Sequence, residues 1–238
     1  MPGVPDVRVG VAIPAAGVGR RMGGTRKAWL ELDGRPLLAL ALEPFLARTD
    51  VTAVRVALSP RDAADPPTWL VGLDPRVEVV AGGATRAESV ARAVTALPRT
   101  VDVILVHDAA RPLLTDAVIE RVVDAVAEGV GAVAGRPATD TFKRVDEAGL
   151  IESTPPRQGL WHAQTPQGFP AALLRRAVAA LDHDPSLAGR ATDDAALVES
   201  VGGRVRMVLG AARNLKVTHP TDVPLARWYL EHPSEGAE

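Results

Sequence analysis

Residues 9–27 decide the fold of this chain, and they read Val-Gly-Val-Ala-Ile-Pro-Ala-Ala-Gly-Val-Gly-Arg-Arg-Met-Gly-Gly-Thr-Arg-Lys. Val9–Ile13 is a short, apolar run, which predicts a buried parallel strand that ends at Pro14 because proline has no N–H for a ladder. The loop that follows is rich in alanine and glycine, so its backbone can approach a ligand closely and offer N–H groups to an anion. A turn of this kind with four basic side chains predicts a polyphosphate site; the four are Arg20, Arg21, Arg26 and Lys27.

Two familiar phosphate-binding fingerprints do not fit this loop. A dinucleotide-binding turn has the pattern Gly-x-Gly-x-x-Gly at the start of a helix. Here Gly17 and Gly19 match, but Met22 takes the place of the third glycine. A P-loop needs Gly-x-x-x-x-Gly-Lys followed by Ser or Thr, and the chain has no such run. The loop therefore predicts a phosphate site of another kind, with a structural turn that carries solvated arginines as the alternative.

The composition limits both the architecture and the class of partner. With 238 residues, 47% of them hydrophobic, the chain can bury the core of one domain. We expect that domain to span residues 1–231, followed by a disordered tail at residues 232–238. A net charge of -2 argues against a general nucleic-acid or membrane-surface protein.

Cysteine and membrane-spanning runs are both missing from the sequence. The lack of cysteine excludes disulfides and thiolate metal sites and fits a reducing compartment. No apolar run approaches membrane-spanning length. We therefore expect a cytoplasmic protein that binds neither nucleic acid nor membranes.

Strands and helices alternate along most of the chain. Apolar runs predict strands at residues 9–13, 51–58, 77–80, 101–106, 131–134 and 205–209. Helical periodicity predicts helices at about 37–45, 86–97, 116–128, 171–181, 193–201 and 223–230. This alternation predicts an α/β fold, a Rossmann-like, open and mostly parallel sheet flanked by helices on both faces.

One segment, at about residues 135–156, interrupts the alternation. Thr141–Val145 and Leu150–Ser153 have the pattern of two short strands around a turn, which predicts a projecting β-hairpin arm. Such an arm usually grips another molecule, and we expect it to hold a second copy of the chain in a homodimer. We expect a loop at residues 157–166, directly after the arm.

Four loops at the carboxyl ends of predicted strands carry the candidate chemistry. Because ligands bind beyond these ends in open α/β sheets, we expect residues 14–27, 81–89, 107–112 and 214–218 to meet at one site. Asp108 follows the buried strand 101–106 directly, and beside a bound triphosphate its carboxylate predicts a ligand of Mg2+. The alternative is that Asp108 caps the next helix or pairs with Arg111. We expect His107 to be structural, because phosphoryl and nucleotidyl transfer, the reactions that a polyphosphate site can support, depend on positioning and charge neutralisation more than on a base.

Taken together, the motifs of these loops resemble one family. They are Pro14-Ala-Ala-Gly-x-Gly-Arg-Arg-Met22 with Lys27, Gly82-Gly-x-x-Arg-x-x-Ser89, His107-Asp-Ala-Ala-Arg-Pro112, Asp140-Thr-x-Lys143, Gly159-Leu-Trp-His-Ala-x-Thr-Pro-Gln167, Thr192-Asp193 and Asn214-x-Lys-Val-Thr218. In this order they are similar to the 2-C-methyl-D-erythritol 4-phosphate cytidylyltransferases of non-mevalonate isoprenoid biosynthesis. The resemblance covers nearly the whole chain, and it is specific because the motifs occur together.

The resemblance implies a reaction and a role for each matching residue. It implies that CTP and 2-C-methyl-D-erythritol 4-phosphate give 4-diphosphocytidyl-2-C-methyl-D-erythritol and pyrophosphate, with Mg2+ or another divalent cation as cofactor. It implies that Arg21 and Lys27 stabilise the charge that develops on the α-phosphorus and pyrophosphate. By the same resemblance, Arg157 and Lys216 position the substrate phosphate. The implied nucleotide-binding residues are Ala15, Ala16, Gly17, Gly19, Arg20, Gly83, Ala84 and Ser89, and the implied substrate-binding residues, some acting across a dimer interface, are Asp108, Arg111, Thr141, Thr165 and Thr192.

Several of these residues have a simpler interpretation when each is taken alone. Thr141 fits an ordinary strand threonine, and Arg157 fits a solvated loop arginine. Thr165 fits a turn residue before a proline, and Thr192 fits a helix cap. Lys216 is different, because an ammonium group on an apolar segment favours an anionic partner.

The chain departs from the family pattern at three positions. Ala84 stands where some relatives carry an acidic residue near the cytosine, so the choice of base must depend more on backbone groups and Ser89. Arg26 replaces a common proline, and Arg213 stands where an acidic residue is frequent. None of these departures removes a residue with an implied catalytic role.

Two other functions stay open from the sequence. The first is a cytidylyltransferase for ribitol 5-phosphate, which shares the loop and the surroundings of Asp108. The second is a nucleotide-binding regulator that has lost catalysis, which would be indicated by the loss of Arg21, Lys27 or Asp108. All three residues are present.

Overall fold

The structure is a computed structural model that describes residues 7–17 and 27–236 of the chain. In these ranges the strands are β1 (Val9–Pro14), β2 (Glu31–Leu32), β3 (Arg35–Pro36), β4 (Val51–Leu58), β5 (Val77–Ala81), β6 (Val103–Val106), β7 (Val130–Pro137), β8 (Arg144–Val145), β9 (Ile151–Ser153), β10 (Trp161–Pro170) and β11 (Arg204–Leu209). The helices are α1 (Leu37–Leu46), α2 (Pro60–Ala64), α3 (Thr68–Val71), α4 (Arg86–Ala96), α5 (Asp116–Ala125), α6 (Ala171–His183), α7 (Leu187–Arg190), α8 (Asp194–Ser200) and α9 (Asp222–Glu231). None of these helices is long and apolar enough to cross a membrane.

Seven strands form one sheet in the order β11-β7-β10-β6-β1-β4-β5. Strand β10 runs antiparallel to its neighbours β7 and β6, and the other neighbouring pairs are parallel. The chain first extends the sheet from β1 to β5 and then places β6 on the other side of β1. This reversal opens a crevice beyond the carboxyl ends of β1 and β6, where ligands bind in such sheets. The predicted open, mostly parallel sheet is confirmed.

Helices cover both faces of the sheet because side chains of the central strands alternate between two apolar layers. In β1, Val9, Val11 and Ile13 pack in the layer that contains α1 and α5. Ala12 points to the opposite layer, which contains α4, α6 and α8. The continuous apolar runs of β1, β4 and β6 are therefore strands that are buried on both faces, whereas the edge strands β5 and β11 are partly exposed.

A smaller apolar cluster fixes the loop after β11 against the loop after β6. Leu113, Val217 and Ala226 are buried together in this cluster, the last of them from α9. The Val217 N–H also donates to the Ala110 carbonyl oxygen at 2.8 Å. Residues 214–218 are thus held beside residues 107–112, although the two loops are far apart in sequence.

The prediction of a loop at residues 157–166 is wrong for the second half of that range, because β10 begins at Trp161. This strand pairs with β7 from Trp161 opposite Pro137, and with β6 from Gln167 opposite Val106. The segment contains Pro166 and lacks the apolar run of the other strands, so its sequence does not reveal a strand. Its place between two strands gives it partners that outweigh its weak propensity.

The hairpin arm occurs at the predicted place, with shorter strands than expected. Strands β8 and β9 pair antiparallel, and Thr141 lies before them in no strand. The long antiparallel pair of β7 and β10 forms the base of the arm. Large apolar side chains are exposed along it, namely Val145, Leu150, Ile151, Leu160 and Trp161.

Residues 232–236, which we expected to be disordered, form turns that pack on Arg213. The buried Arg213 guanidinium donates to the carbonyl oxygens of Tyr229, at 3.0 Å, and Pro233. The Arg213 N–H donates to the Gly236 carbonyl oxygen at 2.9 Å. The arginine that departs from the family pattern therefore holds the segment after α9 beside the loop that carries Asn214.

Candidate active site

Five chain segments meet at the edge of the sheet where the parallel strands end. Four of them follow β1, β5, β6 and β11, as predicted. The fifth is the start of β10, because an antiparallel strand places its first residues beside the last residues of its parallel neighbours. We call residues 15–17 and 82–89 the nucleotide loops. We call the side chains of Arg86, Asp108, Arg111 and Lys216 the Asp108 cluster.

The nucleotide loops are in direct contact with each other. A Cβ added at Gly82 would lie 2.8 Å from Cβ of Ala16 and 2.9 Å from Oγ of Ser89, so only glycine fits between them. The Gly82 N–H donates to the Leu58 carbonyl oxygen at 2.6 Å, which ties the second loop to β4. The loops thus bring together most of the positions to which the resemblance gives a nucleotide-binding role, namely Ala15, Ala16, Gly17, Gly83, Ala84 and Ser89.

Hydrogen bonds inside the second nucleotide loop fix its shape. The buried Ser89 hydroxyl donates to the Thr85 carbonyl oxygen at 2.9 Å and accepts the Gly83 N–H at 3.1 Å. The Glu88 carboxylate accepts the Ala84 N–H at 2.7 Å, and the Glu88 N–H donates to Oγ1 of Thr85 at 3.1 Å. Thr85 thus caps α4, and the Glu88 side chain holds the N–H of the residue before the cap, which differs from a capping box, where it would accept the N–H of the cap residue itself. Ser89 therefore shapes the loop from within.

The basic part of the first loop lies outside the described residues. This applies to the implied site residues Gly19, Arg20 and Arg21, and to Arg26. For Lys27 the structure describes the backbone, which begins a short 3₁₀ helix, Lys27–Trp29. Ala28 is buried in the core, and the Trp29 ring packs edge-on against the Trp69 ring with centroids 6.1 Å apart. The chain therefore enters the core directly after Lys27.

Asp108 is the centre of a buried ionic cluster. Nε of Arg86 donates to Oδ1 of Asp108 at 3.2 Å, and Nζ of Lys216 lies 2.8 Å from Oδ2. Nε of Arg111 is 3.9 Å from the same Oδ2. On its other side, the Arg86 guanidinium donates to both carboxylate oxygens of Asp194 at 3.1 and 2.8 Å. Ion pairs thus connect the end of β6 with α4, α8 and the loop after β11.

The charges of this cluster are stabilised by each other against the cost of burial. Desolvation raises the pKa of Asp108, but the attraction of Arg86 and Lys216 outweighs it and lowers the pKa of this carboxyl below its ordinary value. Burial also disfavours the Arg86 cation, yet Asp194 and Asp108 raise the pKa of Arg86 above its ordinary value. Both groups are therefore charged at pH 7. An ionised carboxylate in this position can accept hydrogen bonds from substrate hydroxyls.

The Asp108 carboxylate does not fit the predicted role of a magnesium ligand. Its two oxygens face Arg86 and Lys216, so Mg2+ placed there would meet like charges instead of the oxygen ligands it requires. Within residues 7–17 and 27–236, no three His, Cys, Asp or Glu side chains lie together in a way that could hold a metal ion. Asp108 does not cap the next helix either, because α5 begins at Asp116. The ion pair with Arg111, which the sequence left open, is present at 3.9 Å.

His107 supports the Asp108 backbone and is fully buried. Its Nε2 lies 3.1 Å from the Arg111 carbonyl oxygen, and its Nδ1 lies 3.0 Å from Oγ1 of Thr165. A carbonyl oxygen only accepts, so Nε2 carries the proton and Nδ1 accepts the Thr165 hydroxyl. The Thr165 oxygen in turn accepts the Asp108 N–H at 3.1 Å. Burial lowers the pKa of His107 to about 4, so the ring is neutral at pH 7.

Arg111 and Asn214 join the loop after β11 to the start of β10. NH1 of Arg111 donates to the Asn214 carbonyl oxygen at 2.7 Å. Nδ2 of the buried Asn214 donates to the Thr165 carbonyl oxygen at 2.8 Å. Arg111, Thr165 and Lys216, three of the implied site residues, therefore lie together around Asp108.

Three implied site residues, two for substrate binding and one for catalysis, lie apart from this cluster. Thr192 is exposed before α8, whose N-cap is Asp193 and not Thr192, since Oδ1 of Asp193 accepts the Ala196 N–H at 2.9 Å. Thr141 and Arg157 are exposed on the arm. The Arg157 guanidinium donates to the carbonyl oxygen of Thr139 within the arm. No ion pair or hydrogen bond among the described residues of one chain joins Thr141 or Arg157 to Asp108.

Reasoning from the sequence did not assign a role to Arg86 or Asp194. Arg86 is part of the glycine motif that ends at Ser89, and Asp194 directly follows Thr192-Asp193. The signal available was a charged residue at the first position of each of the two helices, α4 and α8, that begin at this edge of the sheet. That the two side chains pair with each other depends on how these helices are packed.

Comparison with known proteins shows which family this chain is similar to. The family described as 2-C-methyl-D-erythritol 4-phosphate cytidylyltransferase matches residues 9–232. The chain is 41% identical over 240 residues to the protein of that name from Acidobacterium capsulatum, across 96% of this chain and 99% of the relative. It is 43% identical over 229 residues to the one from Aeromonas hydrophila, across 95% and 92%. The crystal structure of 2-C-methyl-D-erythritol 4-phosphate cytidylyltransferase from Thermus thermophilus matches with a TM-score of 0.78 and 37% identity, over 94% of this chain and 100% of that chain.

We expect His107 to make stability depend on pH. The unfolded ring takes up a proton near pH 6.5, whereas the folded ring does so at about 4. Between these values the unfolded state binds more protons, so the free energy of unfolding should fall by about 2 kcal/mol as the pH falls from 7 to 5. Urea unfolding at both pH values measures this difference, which His107→Gln should abolish.

The matched control for this experiment is His183→Gln. His183 is exposed at the end of α6, so this variant should keep the pH dependence of the wild-type protein. If His107→Gln retained the full loss of stability between pH 7 and 5, another group would be responsible.

Proposed function

The chain belongs to the 2-C-methyl-D-erythritol 4-phosphate cytidylyltransferase family, and from that membership we propose which of its residues carry out the reaction. It is a nucleotidyltransferase that converts CTP and 2-C-methyl-D-erythritol 4-phosphate to 4-diphosphocytidyl-2-C-methyl-D-erythritol and pyrophosphate in isoprenoid biosynthesis. The observation that best supports our assignment of roles is the position of the ionised Asp108 cluster. The cluster lies in the crevice beyond the carboxyl end of β6, at the same edge of the sheet as the nucleotide loops.

The reaction joins two anionic substrates, and the Asp108 cluster is suited to bind the sugar-alcohol phosphate, whose phosphate oxygen is the nucleophile. A phosphate oxygen of the sugar-alcohol substrate forms a bond to the α-phosphorus of CTP while the bond from that phosphorus to the bridging oxygen breaks and pyrophosphate leaves. The attacking oxygen is already ionised at pH 7, so no general base is needed and positioning dominates. We assign this positioning to Lys216 and Arg111, with Asp108 accepting substrate hydroxyls and the buried Thr165 holding the Asp108 backbone in place. Thr192 lies apart from the Asp108 cluster, so its role in substrate binding rests on the resemblance alone.

The nucleotide loops are suited to the other substrate, CTP. Their small side chains and Gly82 leave room for close approach of a base and ribose, and Ser89 holds the second loop in shape. Because Ala84 offers no side-chain acceptor, base recognition falls to backbone groups and to the loop that Ser89 supports. Arg20, Arg21 and Lys27 would face the triphosphate, where Arg21 and Lys27 stabilise charge on the α-phosphorus and the leaving pyrophosphate.

A divalent cation remains part of the proposal, although Asp108 does not fit as its ligand. Mg2+ usually keeps several waters and binds substrate phosphates, so the triphosphate of CTP is the ligand that we propose for it. Such an ion neutralises phosphate charge when it is bound. A cytoplasmic location and the lack of nucleic-acid and membrane partners stay predictions from the sequence.

We also propose that the protein is a homodimer held through the arm. Val145, Leu150 and Ile151 are 51%, 68% and 62% exposed, and exposed apolar side chains grouped in this way mark a contact surface. Thr141 and Arg157 belong to the same arm and make no described contact with their own Asp108. A partner's arm would bring these two residues to the substrate phosphate, which would complete the site across the dimer.

The first test of this function is an assay of pyrophosphate release. With the purified protein, CTP and magnesium, we expect release with 2-C-methyl-D-erythritol 4-phosphate and much less with ribitol 5-phosphate. The measurement is kcat/KM for each sugar-alcohol phosphate at fixed CTP. A preference for ribitol 5-phosphate would overturn the choice of substrate, and no release with either would leave a nucleotide-binding regulator.

Replacement of Lys27 tests the role of the glycine-rich loop. We expect Lys27→Ala to lower kcat by about a hundredfold or more, as is usual when one charge-stabilising donor is lost. Steady-state kinetics measures kcat, and thermal unfolding shows that the variant is folded. The control is Arg190→Ala. Arg190 is exposed, pairs with Asp184 and is far from Lys27 in the sequence. An unchanged kcat in Lys27→Ala would contradict the role.

Charges introduced on the arm test the dimer. We expect Ile151→Asp with Leu150→Asp to weaken dimerisation by about tenfold or more, because each carboxylate would be buried in an apolar contact. The same variant should raise KM for the sugar-alcohol phosphate more than KM for CTP. Sedimentation equilibrium measures the assembly. Val71→Asp is the control, because Val71 is 63% exposed but lies in α3, outside the arm.

A further inference from the structure

Asp194 is a buried carboxylate that the reaction described above does not use. It is the first residue of α8, and only 2% of its surface is exposed. Its two oxygens accept hydrogen bonds from the two terminal nitrogens of Arg86, at 3.1 and 2.8 Å. A bidentate pair of this kind fixes the plane of a guanidinium as well as its position.

Through this pair, Asp194 determines where the remaining nitrogen of Arg86 points. That nitrogen, Nε, donates to Oδ1 of Asp108 at 3.2 Å. Three nitrogens of the guanidinium are therefore used, two by Asp194 and one by Asp108. Arg86 cannot turn away from Asp108 without breaking both of its bonds to a buried carboxylate, which is costly.

Lys216, the partner of the other Asp108 oxygen, is held much more loosely. Its Nζ lies 2.8 Å from Oδ2, and 38% of its side chain is exposed. Asp108 is the only acidic partner of this ammonium among the described residues. Because Lys216 has a flexible stem and a point charge, it can exchange one anion for another with little rearrangement. Apart from the more distant Arg111, whose Nε is 3.9 Å from Oδ2, Asp108 therefore has one fixed partner and one exchangeable partner.

We propose that Asp194 is a positioning residue for the sugar-phosphate substrate, acting through Arg86 on Asp108. When the substrate phosphate binds, Lys216 turns from Asp108 to the phosphate, and Oδ2 becomes free to accept a substrate hydroxyl. Asp108 then depends on Arg86 to keep its place and its charge, and Arg86 depends on Asp194. This inference rests on the proposed roles of Asp108 and Lys216.

The test is the variant Asp194→Asn, combined with Asp108→Asn in a double-mutant cycle. Asp194→Asn should raise KM for 2-C-methyl-D-erythritol 4-phosphate by about tenfold and leave KM for CTP within about twofold. In the Asp108→Asn background, Asp194→Asn should change that KM by no more than about twofold, because the group through which it acts is already lost. A merely structural role would raise both KM values or would add its effect in both backgrounds.

The adjacent residue provides a matched control. Asp193→Asn removes a carboxylate one position away that caps α8 and accepts from Gln167 at 2.9 Å, and it leaves Arg86 untouched. Since asparagine is also a good N-cap, this variant should keep both KM values. Thermal unfolding identifies variants that lose stability. If Asp194→Asn does not fold, Arg86→Lys takes its place. This variant keeps the positive charge but cannot make two parallel hydrogen bonds to Asp194, so it should reproduce the selective rise in KM for the sugar phosphate.

The outcomes separate this inference from the function on which it rests. If the wild-type protein releases no pyrophosphate with both substrates, the proposed function fails. If the wild-type protein is active and Asp194→Asn keeps its KM for the sugar phosphate, or if the two substitutions are additive, the positioning role of Asp194 is overturned while the function stands.

Discussion

The burial of one charged carboxylate, that of Asp108, constrains the rest of this structure. A carboxylate that has lost its water must be surrounded by cations and hydrogen-bond donors, or it becomes protonated. Here the cations come from α4, from the turn after β6 and from the loop after β11. These elements must all be in place together, so the charge at Asp108 is stable only when the sheet, its helices and the last loop are correctly packed.

A network of uncharged side chains holds the backbone around Asp108 in place. His107, Thr165 and Asn214 connect the turn after β6 with β10 and with the loop after β11. The antiparallel direction of β10 is essential here, because a parallel strand would present its last residues, and not Thr165, at this edge. An uncharged His107 is needed in the same place, since another cation in the network would compete with Arg86 and Lys216 for Asp108.

The two halves of the site are built by different means. The second nucleotide loop takes its shape mainly from contacts between neighbouring residues, namely the Thr85 cap, the Glu88 carboxylate and the Ser89 hydroxyl, and it then packs against residues 15–17. The half around Asp108 uses side chains from distant elements, and we propose that it also uses the arm of a second copy. This division fits the chemistry, because a flat base needs close approach and a phosphate needs several converging charges.

The sequence by itself determined the alternation of strands and helices and the order of the motifs, because each depends on neighbouring residues, and it predicted a phosphate site in the glycine-rich loop. It also indicated that Lys216 needs an anion. Only the tertiary structure decided that this anion is Asp108, that Arg86 pairs with Asp194, and that residues 161–170 form a strand instead of a loop. It also revealed that the Asp108 carboxylate, which the sequence predicted to bind magnesium, is paired with several basic side chains. The physical reason is that ion pairs and strand pairing depend on which surfaces the folded chain brings together, and such contacts leave no periodic pattern in the sequence.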